Sequence, residues 1–173
     1  KEIYEIGFSS HIHGMGKSKY DYERIGMNAR MSTIQAAILL EKLEIFPKEL
    51  AQRQKVADNY NKILNSKNLD LKLPSIDKNA KSSWAQYTII LPKRINRDEL
   101  KEYLKLKNIP TAVYYPTPIN MHPPYSKYPV SKVGLDVTNY LSKNVLSLPM
   151  HPYLNEDEII YIAENMSNYF KKH

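Results

Sequence analysis

The sequence predicts an α/β fold: a small sandwich of about three strands with helices mainly on one face, preceded by a long helical arm and a loop. Three observations predict it. Between residues 84 and 170, two-residue alternation and helical spacing follow one another as strand, helix, strand, helix, strand, helix, the pattern of one sheet covered by helices. Ahead of them, residues 32–65 carry apolar side chains at helical spacing. Ahead of those, residues 9–27 show no clean period and hold three of the five glycines, Gly14, Gly16 and Gly26. The expected divisions are residues 1–31, residues 32–66 for the arm, and residues 67–173 for the α/β domain.

Residues 1–10 read as a short strand or extended lead-in, with Ile3, Ile6 and Phe8 apolar. The unpatterned loop that follows exceeds about 12–15 residues, the length beyond which loops in compact proteins are usually functional or disordered. His11 and His13 are one residue apart, but with no cysteine and no carboxylate at ligand spacing they do not read as a metal site. The arm has a written start: Ser32 with Gln35 forms an S-x-x-Q capping box. Ile34, Ile38, Leu39, Leu40, Leu43, Ile45 and Phe46 then leave so little polar surface that the helix is expected to be buried. Gly26 to Arg30 would thus sit at a buried helix N-terminus, where free N–H groups and the helix dipole suit an anion.

Pro47 is expected to open a second helical segment, with Leu50, Ala57, Tyr60 and Leu64 as its apolar stripe. Residues 65–83 are polar and lysine-rich and read as irregular connection. Residues 84–91 alternate as a strand that Pro92 stops. Asn96 with Glu99 starts a helix whose inner face is Leu100, Tyr103 and Leu104. Residues 111–115 read as a second strand. A proline-rich and therefore stiff loop follows, then a short helix over 133–142 and a third strand over 144–148. Asn155 with Glu158 caps a last helix, with Ile159, Ile162, Ala163, Met166 and Phe170 inward.

Composition narrows the function classes. The formal charge of +7 comes from 25 basic and 18 acidic residues. The lysines are scattered rather than gathered into a basic block, so a nucleic-acid partner is not expected, whereas small anionic ligands are compatible. No run of 18 apolar residues marks a membrane span. No cysteine is present, so disulfides and thiolate chemistry are excluded, in keeping with a cytoplasmic location.

The central stretch, G-M-N-A-R-M-S-T-I-Q-A-A-I-L-L-E-K-L from Gly26 to Leu43, resembles the G-x-N-x-R…Q-A-A-x-L-x-x-K-L signature of the DegT-type nucleotide-sugar aminotransferases. His13-Gly14 and Lys19-Tyr20 are similar to that family's H-G…K-Y segment. S-W-A-Q-Y-T-I from Ser83, N-I-P-T-A-V-Y-Y-P-T-P from Asn108 and S-L-P-M-H-P-Y-L from Ser147 resemble later segments in the same order. Asn108 stands where a glycine is common. The resemblance implies the aspartate-aminotransferase fold, pyridoxal 5′-phosphate as cofactor, and a match to the C-terminal part of such an enzyme. Residues 1–31 would then be the end of the large domain with an active-site loop, and residues 67–173 the small C-terminal domain. Details of W-A-Q-Y-T and S-L-P-M-H-P-Y-L lean toward enzymes that aminate UDP-2-acetamido-3-keto-glucuronate.

The resemblance also implies roles. Asn28 matches the asparagine that hydrogen-bonds the cofactor phosphate of the neighbouring subunit in a homodimer. Arg30, whose planar fork fits phosphate or carboxylate, would bind substrate, as would His13, Tyr20, Tyr114 and Tyr115. Tyr114 departs from the family's common histidine. A phenol still donates a hydrogen bond but does not titrate near neutrality. Catalysis in the family needs a lysine in Schiff-base linkage to the cofactor, and no lysine of this chain matches its setting. The implied substrates are a UDP- or dTDP-keto-sugar and an amino donor, L-glutamate. Two alternatives stand beside this: a non-catalytic dimerisation or interaction module, and a pyridoxal-phosphate-dependent sugar dehydratase of the same family.

Overall fold

The computed structural model describes residues 1–18 and 20–173; Lys19 of the H-G…K-Y segment lies outside them. The chain divides into two compact units, Lys1–Pro47 and Lys48–His173.

The first unit opens with helix α1, Glu2–His11, where a strand was expected. Tyr4 and Phe8, four apart on one helix face, stack their rings at 6.0 Å. Glu2 and Glu5 in the first turn and His11 in the last complement the helix dipole. Residues 12–18 and 20–29 belong to a cross-linked loop. Helix α2, Thr33–Ser66, then runs through both units with Pro47 inside it, so one continuous helix stands where two segments were expected. Proline brings no N–H, and the carbonyl four residues earlier goes without its usual donor.

The expected burial of the first half of α2 is corrected. Ile34 is 75% exposed, Ile38 59% and Leu43 62%. An apolar helix surface specifies that it would gain from cover, not that its own chain supplies the cover. From Val56 onward the reverse holds: Val56, Ala57, Tyr60, Ile63 and Leu64 recur at helical spacing and are all buried.

In the second unit, β1 (Tyr87–Ile90) and β2 (Val145–Leu148) form an antiparallel pair with Tyr87 opposite Leu148. Each outer edge carries one further bridge, Lys72 to Ile90 on one side and Ala112 to Ser147 on the other. The strand expected over 111–115 is therefore a single bridge, with Ala112 and Ser147 exchanging both backbone hydrogen bonds at 3.1 and 2.8 Å. Pro110 and Pro116 bracket it, and a residue without N–H cannot extend a ladder. The residue-72 bridge lies in the stretch read as irregular.

Helices α3 (Arg97–Leu106), α4 (Asp136–Asn144) and α5 (Glu156–Phe170) complete the unit. The Asn96 side chain caps α3, accepting from Asp98 and Glu99 N–H, and Asn155 with Glu158 forms a reciprocal box on α5. α3 packs on α5, and Leu100, Leu104, Ile159 and Met166 meet Tyr87, Ile89 and Leu146 in one core. Polar groups buried there have partners. The Tyr60 hydroxyl donates to Pro149 O at 2.9 Å, and the Tyr87 hydroxyl to Asn61 Oδ1 at 2.6 Å. Burial pushes both phenols above the ordinary tyrosine range. No helix among the described residues is long and apolar enough to cross a membrane.

Candidate functional site

The loop of the first unit is built from backbone hydrogen bonds rather than from a core. Ser9 O accepts from Ile12 and Gly14 N–H at 3.1 and 2.8 Å, closing α1. Residues 10–16 then run against residues 21–29. Met27 N–H donates to Ser10 O, His13 N–H to Met27 O, Ala29 N–H to His11 O and Glu23 N–H to Gly14 O, all within 3.0 Å. Isolated bridges join Ile12 to Asn28 and Met15 to Tyr22.

Two glycines make this approach possible. Gly14 has φ +80, and a Cβ there would stand 1.7 Å from Arg24 O. A Cβ on Gly26 would stand 2.2 Å from Gly14 N and 2.6 Å from Ser10 O. These contacts are with backbone, so only hydrogen fits.

The cross-linked loop delivers Asn28 and Arg30 to the start of α2. Asn28 Oδ1 accepts from Arg30 Nε at 3.2 Å and from Arg30 N–H at 3.4 Å. Two residues on, Ser32 and Gln35 form the expected box: Gln35 N–H donates to Ser32 Oγ and Ser32 N–H to Gln35 Oε1, each at 3.2 Å. Asn28 and Arg30 are both exposed. Arg30 borders a shallow depression with Met31, Gln35, Ile38 and Leu39. The donors gathered here are the Asn28 amide, the guanidinium and a helix N-terminus. Such a set suits an anion.

The remaining sequence-derived residues fall in three places. His13 is tied to Met27 through its backbone, one residue from Asn28, and its side chain is exposed. Tyr20, 81% exposed, lies on the turn beyond the Met15–Tyr22 bridge. Tyr114 and Tyr115 belong to the second unit, where their rings meet edge to face at 5.8 Å. They line a cavity of about 760 Å³ with Pro116, Pro118, Ile119, His122 and Leu141. Asn28 and Arg30 are thus joined by a side-chain hydrogen bond within the first unit.

His122 on the cavity wall and Ser9, whose buried hydroxyl has no hydrogen-bond partner among the described residues, carry no expectation from the sequence. His122 could have been found as the histidine of the proline-rich loop; nothing local marks Ser9. Among the described residues, no group of three or more His, Cys, Asp or Glu could hold a metal ion.

The model of the DegT/DnrJ/EryC1/StrS aminotransferase family matches residues 1–167. The chain is 42% identical over 156 residues to the UDP-2-acetamido-2-deoxy-3-oxo-D-glucuronate aminotransferase of Pseudomonas aeruginosa, covering 90% of this chain and 41% of that protein. It is 34% identical over 161 residues to a pleiotropic regulatory protein of Geobacillus stearothermophilus, covering 92% and 42%. The crystal structure of a DegT/DnrJ/EryC1/StrS aminotransferase from Brucella abortus superposes with a TM-score of 0.85 at 39% identity, over 97% of this chain and 43% of that one. The chain spans about two fifths of the length of the curated relatives it matches.

Proposed function

This chain belongs to the DegT/DnrJ/EryC1/StrS aminotransferase family, and from that premise we propose that it forms the C-terminal portion of a sugar-nucleotide aminotransferase. The enzyme moves an amino group from an amino acid, L-glutamate, to a UDP- or dTDP-linked keto-sugar. The 42% identity to the Pseudomonas aeruginosa enzyme favours a UDP-linked 3-keto-hexosaminuronate as acceptor. Pyridoxal 5′-phosphate supplies the electron sink for the amino transfer. The lysine that holds it covalently belongs to a part of the enzyme outside this chain.

The observation that carries the proposal is the Asn28–Arg30 pair, exposed at the start of a capped helix and joined by a 3.2 Å hydrogen bond. The donor set fits a phosphate: it holds an amide N–H, a guanidinium and no carboxylate. Asn28 donates to the cofactor phosphate of the neighbouring subunit. Arg30 offers its outer N–H groups to the substrate's phosphate or carboxylate. His13 and Tyr20 line the same loop, and Tyr114 and Tyr115 contact the sugar nucleotide. The partner is a second copy. The open apolar surface of α2, with Ile34, Ile38 and Leu43, is the kind of patch that marks a protein interface. The product feeds polysaccharide or glycan precursor synthesis.

The full-length protein, incubated with L-glutamate and the UDP-linked 3-keto-glucuronate, is expected to release 2-oxoglutarate and form the 3-amino sugar nucleotide. Turnover that yields a deoxygenated sugar without consuming glutamate would assign it to the dehydratase alternative. A full-length protein that binds no pyridoxal phosphate would leave the interaction-module reading.

A further inference from the structure

A carboxamide is an acceptor at one end and a donor at the other. At Asn28 the two ends are not equivalent, because both hydrogen bonds its oxygen accepts come from Arg30: Nε at 3.2 Å and the backbone N–H at 3.4 Å. Turning the amide over would set its NH₂ group against two donors, one on a cation. An exposed asparagine without such a neighbour would present either end to a ligand. Here the oxygen is committed to Arg30, and the amino group is the end left to meet a ligand. An anion requires that end, since the carbonyl oxygen would repel it.

We propose that Arg30 is a positioning residue for Asn28: it fixes the carboxamide with its oxygen toward the guanidinium, so that the N–H donors are the ones offered to the cofactor phosphate. The inference rests on the phosphate-binding role of Asn28 proposed above and adds a second role for Arg30. Nε is one of the five N–H donors of a guanidinium, so the positioning bond leaves the others for a substrate anion. The two residues are two apart on a loop end pinned by the Ala29–His11 hydrogen bond at 3.0 Å and by the capped helix that follows. The geometry therefore needs no ligand to form.

The test is a double-mutant cycle on the full-length apoprotein. Pyridoxal 5′-phosphate and pyridoxal, which lacks the phosphate, are titrated separately and followed by the cofactor's absorbance. Asn28→Ala is expected to weaken pyridoxal-phosphate binding roughly tenfold, the worth of one hydrogen bond to a charged group, with pyridoxal affinity unchanged. Arg30→Ala, which removes the Nε donor and keeps the backbone N–H, is expected to produce a smaller but measurable loss, again with pyridoxal unchanged, and no further loss when added to Asn28→Ala. The proposal is overturned, with the phosphate role of Asn28 intact, if Arg30→Ala binds like the wild type. Losses that multiply in the double variant overturn it too, because Arg30 then acts independently of Asn28. An equal loss of pyridoxal affinity also overturns it, since amide orientation acts on the phosphate alone. If Asn28→Ala leaves pyridoxal-phosphate affinity unchanged, the underlying reading itself fails.

Discussion

In residues 48–173, Tyr60, Leu100, Leu146 and Met166 are fully enclosed, whereas in residues 1–47 side chains of the same chemistry, Ile34, Ile38, Leu40 and Leu43, stand open. Among the described residues of the first unit, only Ser9 and Gly14 are buried. Helix α2 belongs to both units, so helix propensity does not separate them. The second unit is ordered by the burial of apolar area. The first is ordered by a backbone ladder, two close-packed glycines and a capping box. The difference teaches that an apolar pattern reports which surface would gain from contact, while the identity of what covers it is a separate fact.

The sharpest way to break this contrast is a pair of truncations. Leu100→Ala is expected to cost about 2–5 kcal/mol in urea unfolding of the chain, the usual range for a large side chain removed from a core. Ile38→Ala, measured at a concentration where the chain is monomeric, is expected to stay within about 0.5 kcal/mol, as for other exposed positions. Equal effects would mean that the first unit shares in a common core.

Next in size is Gly26→Ala. The new methyl meets backbone on two sides, and overpacking of this kind costs about 1–3 kcal/mol. Because the first unit has no core to report on, the readout is local. Hydrogen exchange at the Met27 and Ala29 amides, which donate to Ser10 and His11 carbonyls, should accelerate while amides of β1 and β2 keep their protection.

Tyr60→Phe probes the second unit's buried polar pair. At neutral pH it removes one hydrogen bond, about 1 kcal/mol. The folded-state pKa of Tyr60 is raised, chiefly by burial, so the protonated phenol's contribution is fully present below the ordinary value of 10.0. It is lost as pH climbs above that value, where the unfolded chain ionises first. Denaturation at pH 9 and pH 11 should therefore show a steeper alkaline loss in the wild type than in Tyr60→Phe. Parallel losses would show that this phenol is not the one that resists ionisation.

The smallest expected difference lies between two caps of the same kind. Asn155→Ala should lower global stability by about 1 kcal/mol, since α5 is docked on the core. Ser32→Ala removes an equivalent box from the open end of α2. It is expected to appear as fraying of the first helical turn, seen in exchange at Gln35, with little change in the global midpoint.

How much was legible in the sequence follows from the range of each signal. The caps at Ser32, Asn96 and Asn155 are local chemistry, and each stands where the residues put it. Ala57, Tyr60 and Leu64 were readable as an inward stripe because one helix face repeats. Residues 1–10 read as a strand or extended lead-in because a spacing of four, as between Tyr4 and Phe8, is shared by a helix face and a strand face, so the local pattern does not separate the two. Residues 111–115 have strand composition, yet pairing is limited to Ala112 by what lies beside it. At the candidate site, Asn28 and Arg30 came from motif resemblance. The hydrogen bond between them, the backbone approach of Gly14 to Gly26 and the cavity behind Tyr114 and Tyr115 depend on distances that no linear pattern carries.

The sequence by itself determined the capped helix starts at Ser32, Asn96 and Asn155, the inward stripe of the second half of α2, and the family, because these depend on residue type and spacing along one segment. Tertiary structure alone decided which apolar faces are enclosed, how far each strand pairs, and which end of the Asn28 amide is spoken for. Those outcomes require groups remote in the chain, or side chains in one particular rotamer, to meet within about 3 Å, the reach of a hydrogen bond.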